Sequence, residues 1–201
     1  MSFGLSQSDI VFLSQTSSAH FQKVTTFIDI ANNMVYEYFG TKTNFDIIIC
    51  YGSWEMEVQI VSRIHNLHSG QHYTTKSAAI TDYRLKEIVV RCDIAKFGHY
   101  LHELIHGILG KKHSHQLKEG LAWYFTEVLT GPKVYLMPAL PVFMMELYVS
   151  PVRELASILG EEFLKDFALG KANIHEEAFS KDVRDLFLPE EVFYTKKRYF
   201  R

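Results

Sequence analysis

Residues 94–108 constrain this chain more than any other stretch. Ile94, Phe97, Leu101, Leu104, Ile105 and Ile108 recur at three- and four-residue intervals and make one apolar stripe along a helix. Asp93 is a residue type that caps helix N-termini, and Gly110 suits the C-terminal end. Such a helix must lay its stripe on a partner, and the chain before it supplies one. Residues 45–51 (FDIIICY) read as a short buried strand, and further extended stretches are expected around 78–81 and 87–91. An earlier helix is capped by Ser17 or Ser18. Its residues Val24, Phe27, Ile28, Ala31, Val35 and Tyr38 keep helical spacing until Gly40. Residues 53–67 predict another helix, stopped by Ser69-Gly70, and residues 117–129 predict one halted by Gly131-Pro132. The remainder reads as helical, punctuated by Pro138, Pro141, Pro151 and Gly170. Strands early and helices late favour an α+β fold: a small N-terminal sheet packed on the central helix, then a mostly helical C-terminal half.

No repeat or linker divides the 201 residues, so one domain over 1–201 is expected. At 47% hydrophobic and 22% charged the chain can build an ordinary globular core. Lys and Arg total 21 against 23 Asp and Glu, and a net charge of -2 argues against nucleic acid as a partner. The basic tail Lys196-Lys197-Arg198 with Arg201 reads as a solvated terminus. Cys50 and Cys92 stand alone in the sequence and read as buried small hydrophobes in a reducing compartment. No basic residue precedes Lys23, and Asp9 interrupts the early apolar residues, so no secretory signal is expected. The most apolar window, residues 134–149, carries Pro138, Pro141 and Glu146 and makes a poor membrane span. The expectation is a cytoplasmic protein without a membrane partner.

The central helix carries His102-Glu103-Leu104-Ile105-His106, the pattern H-E-x-x-H. Residues four apart on a helix differ by roughly 40° in direction, so both imidazoles can reach one ion. Two neutral imidazoles and one more protein donor hold Zn²⁺ and leave a fourth position for water. Bound zinc lowers the pKa of that water toward neutrality. Glu103, beside the first ligand, can take the water's proton and pass it to a leaving amine. On a helical wheel His102 and His106 fall beside the apolar stripe, where a helix leaves the core and borders a cleft. Near the N-terminus of the next helix stand Glu119-Gly120-Leu121-Ala122-Trp123-Tyr124. Glu119 is placed to offer a carboxylate as third ligand, and the small Gly120 and Ala122 would let this helix approach the first.

Together, H-E-x-x-H and E-G-x-A resemble the gluzincin branch of zinc metallopeptidases, the peptidase-MA-like group, over about residues 87–127. The resemblance implies a zincin-like fold with His102, His106 and Glu119 as zinc ligands and Glu103 as general base. It implies a peptide or protein substrate whose backbone pairs with an edge strand, taken here as 87–91. Thermolysin-type members carry an acidic residue four positions after the third ligand, and this chain has Trp123 there. The partner that orients a zinc-bound imidazole must then come from elsewhere, with Glu127 or a backbone carbonyl as candidates. No G-x-M-E-N element lies upstream, so an endopeptidase is expected rather than an aminopeptidase.

Three other sets of residues compete with these assignments. Metzincins read H-E-x-x-H-x-x-G-x-x-H, and here Gly110 and His113 each come one residue too late, although His115 is near and Met137 offers a Met-turn. Glu119 is preferred over His113. His99 reads as a polar or solvated neighbour rather than a fourth ligand, since a closed site leaves no room for water. His65, His68 and His72 straddle Gly70 and read as surface residues. A donor to the oxyanion is expected from Tyr or His. Tyr148 and His175 are the candidates taken, with Tyr124 and Tyr135 behind them. The rival to a peptidase is a non-catalytic, zinc-stabilised binding or regulatory module of the same fold. A plain helical interaction protein comes third.

Overall fold

The structure is a computed structural model that describes residues 10–12, 18–52, 55–56, 78–110, 112–131, 142–175 and 179–188. The chain gathers into two units, Met1–Gly107 and Ile108–Arg201. Strands belong to the first and the second is helical, so the architecture is α+β.

The first unit runs β1 (Ile10–Phe12), α1 (Ser18–Phe39), β2 (Asp46–Cys50), β3 (Ala79–Asp82), β4 (Glu87–Arg91) and α2 (Phe97–His106). The strands form one sheet in the order β1-β2-β4-β3. β1 and β4 both run parallel to β2, with Ile48 opposite Val89, and β3 runs antiparallel to β4. The continuous apolar runs Ile47–Cys50 and Ile88–Val90 are buried throughout, as inner strands covered on both faces must be. This corrects the expectation that 87–91 is an edge. Among the described strands the edge beside the site is β3, whose residues are all half-buried. On one face of the sheet Ile48, Cys50, Met56 and Val89 cluster with Ile80.

α1 buries Val24, Ile28, Ala31 and Val35, four positions of the stripe read from the sequence. Gly40 follows it with φ 69°, a left-handed conformation that glycine adopts freely. Phe27 meets Phe97 of α2 edge-on, with ring centroids 5.9 Å apart. α2 is also packed against β3 and β4, and Leu101, Leu104 and Ile105 are fully buried.

α2 is shorter than the stripe suggested. Asp93 does not cap it, because its carboxylate takes two bonds from the Arg91 guanidinium, at 3.1 and 2.7 Å. Ile94 is exposed, and the helix starts at Phe97 behind Lys96. It ends at His106 rather than near Gly110. A Cβ on Gly107 would collide with the Thr43 side chain. The expected helix over 53–67 and the His65, His68 and His72 group lie outside the described residues, apart from a helical pair at 55–56.

The second unit comprises α3 (His115–Thr130), α4 (Val142–Leu159), α5 (Glu161–Ala168) and α6 (Lys181–Asp185). Ser114 caps α3 by accepting from the Leu117 N–H at 3.2 Å. α4 continues through Pro151, a residue expected to punctuate the helical half. A proline inside a helix costs about 3 kcal/mol, and burial of Tyr148, Val149, Val152 and Leu155 around it offsets that cost. Among the described residues no helix is long and apolar enough to cross a membrane.

Candidate metal centre

α2 is the element that makes the site. Its N-terminal turn is closed by His99, whose Nδ1 accepts from the Lys96 N–H at 2.8 Å. His99 is buried rather than solvated. Burial first, and then His102 nearby, push its pKa down to about 4, so it stays neutral at physiological pH. The next turn brings His102, Glu103 and His106 inward, each less than a tenth exposed.

His102 and His106 converge. Their Nε2 atoms lie 3.0 Å apart, and the rings stand nearly perpendicular with centroids 4.5 Å apart. Two nitrogens bound tetrahedrally to one zinc at 2.0–2.1 Å would lie about 3.3 Å apart. The donor pair therefore fits a single ion with a shift of a few tenths of an ångström. Imidazole nitrogens and a carboxylate are also the donor chemistry of zinc sites that keep an open position. His102 and His106 belong to the first unit. Glu119, the third donor expected from the sequence, is half-buried on α3 of the second.

The hairpin of β3 and β4 supports Glu103 and His106. The Thr81 hydroxyl donates to Glu103 Oε2, and the Tyr83 hydroxyl lies 2.7 Å from His106 Nδ1. Neither contact was read from the sequence. Thr81 lies on β3 and Tyr83 in the turn that follows it, two residues apart in sequence. That spacing is the only local signal, because the contacts depend on β3 folding back on β4 beside α2.

Other expected residues are placed as follows. The Glu127 carboxylate receives the Arg153 guanidinium at 2.7 Å, and Arg153 also binds Glu146. His113, the rival third ligand, points its Nε2 at the carbonyls of Phe167 and Ala168, at 2.9 and 3.1 Å. Its N–H is used within the second unit, and burial lowers its pKa. Gly110, read as a helix end, instead permits close approach: a Cβ there would lie 3.0 Å from the Gly170 Cα. His115 is exposed at the first position of α3. Gly120 faces α4 of its own unit, where a Cβ would lie 2.6 Å from the Tyr148 carbonyl oxygen. The small residue at this position serves close packing of α3 on α4. Tyr148 is buried in α4, His175 is exposed beyond α5, and Tyr124 is half-buried on α3. Met137 and Tyr135 lie outside the described residues.

Compared with protein-family models, curated proteins and solved structures, the chain matches none.

Proposed function

We propose that this chain is a zinc-dependent peptide-bond hydrolase, an endopeptidase of gluzincin type with a zincin-like fold. The observation that carries the reading is the convergence of His102 and His106, buried and 3.0 Å apart at Nε2, beside the buried carboxylate of Glu103. His102, His106 and Glu119 would hold the metal. When bound, zinc supplies a Lewis acid for the scissile carbonyl and a water acidic enough to give hydroxide near neutral pH. Glu103 accepts the proton of the attacking water and returns it to the leaving amine. The Thr81 hydroxyl holds that carboxylate in one orientation while it does so. A peptide lying extended beside α2 would pair with β3, the edge strand among those described.

The test is cleavage of a broad peptide library by the zinc-loaded chain with and without a chelator. Internal peptide bonds are expected to be cut, with cutting abolished by the chelator and restored by zinc. One observation favours a second reading. Trp123, buried, stands where thermolysin-type gluzincins carry an acid. A zinc-stabilised binding module would take up the metal and raise its melting temperature with it, yet leave the whole library intact.

A further inference from the structure

We infer that Tyr83 is a positioning residue of this centre: its hydroxyl sets the tautomer and orientation of the His106 ring. The inference rests on the zinc reading above. Each neutral imidazole carries one N–H and one lone pair. A ring that ligates through Nε2 keeps its proton on Nδ1, and a buried N–H without an acceptor is costly. His106 is buried, its Nε2 faces His102, and its Nδ1 lies 2.7 Å from the Tyr83 oxygen. The phenol oxygen is therefore the acceptor that lets the His106 Nε2 lone pair turn toward the metal.

Tyr83 is itself held in place. Its ring meets His106 edge-on at 6.0 Å and Phe45 edge-on at 6.0 Å. The turn that carries it is tied by the Asp82 carboxylate, which accepts from the N–H groups of Arg84 and Leu85 at 2.8 and 3.0 Å. A hydroxyl differs from a carboxylate in that it can also donate. In the zinc-free chain it can give its proton to Nδ1 while the His106 Nε2–H donates to His102. The same contact thus serves both the empty and the loaded state.

The experiment is Tyr83→Phe, which removes the oxygen and keeps the ring. Zinc affinity, measured by competition with a chelator, is expected to fall about 10- to 100-fold, while the zinc-free variant still folds and loses only a few degrees in melting temperature with the hydrogen bond to Nδ1. Imidazole ¹H–¹⁵N spectra of the zinc-loaded wild type are expected to show a protected His106 Nδ1–H, and loaded Tyr83→Phe to lose that protection. Equal zinc affinities in the two proteins overturn the inference and leave the zinc reading standing. A large drop in the zinc-free melting temperature with unchanged spectra also overturns it, since Tyr83 would then be only structural. A wild-type chain that takes up no zinc overturns the zinc reading itself.

Discussion

Glu103→Gln is expected to keep zinc and lose peptide hydrolysis by a factor of about 10²–10⁴, the span that a positioned general base contributes. Gln has the same shape, and its carbonyl oxygen can still accept from the Thr81 hydroxyl that now binds Glu103 Oε2. The amide cannot take up a proton. Folding and metal binding should thus survive while proton transfer fails. Zinc content and turnover, measured on the same preparation, check this directly. Unchanged turnover would remove Glu103 from the reaction. Loss of zinc together with turnover would show that Glu103 supports the metal rather than the chemistry.

Gly120→Ala is expected to destabilise the chain even though alanine is the better helix former. The new Cβ would lie 2.6 Å from the Tyr148 carbonyl oxygen and 2.8 Å from Val152 Cγ2. The nearer atom is backbone inside α4, which cannot swing aside as a side chain can, so α3 and α4 must separate. Overpacking of this kind costs about 1–3 kcal/mol, against roughly 1 kcal/mol gained in helix propensity. With the backbone in contact the cost lies toward the upper end, so the melting temperature should fall by roughly 2–8 °C. Val152→Ala added to Gly120→Ala should restore only part of the loss, because the carbonyl remains. A Gly120→Ala variant as stable as the wild type would show that the two helices do not need this close approach.

Much of the first unit is readable from local chemistry. The α1 stripe, the Gly40 stop and the apolar runs in β2 and β4 follow from spacing alone. Sequence and structure part where a side chain has a partner distant in sequence or a competing local one. Asp93 could cap a helix, but Arg91 two residues earlier claims its carboxylate. Residues 88–90 are uniformly apolar, which marks an inner strand, yet their position just before the H-E-x-x-H helix suggested an edge. Gly120 showed that something approaches closely but not which helix. The H-E-x-x-H residues were legible because a helix fixes the relation of His102 to His106 within one turn. Tyr83 was not, because eleven tyrosines share one chemistry and only the fold of the hairpin distinguishes this one.

A metal site built from His102, His106 and Glu119 stands or falls with metal content. Zinc per chain is to be measured by elemental analysis of metal-repleted protein, for wild type and Glu119→Ala together. About one zinc is expected in the wild type and much less in the variant, since one of three protein donors is removed. Zinc retained by both would contradict Glu119 as a ligand, and no zinc in the wild type would contradict the site as a whole.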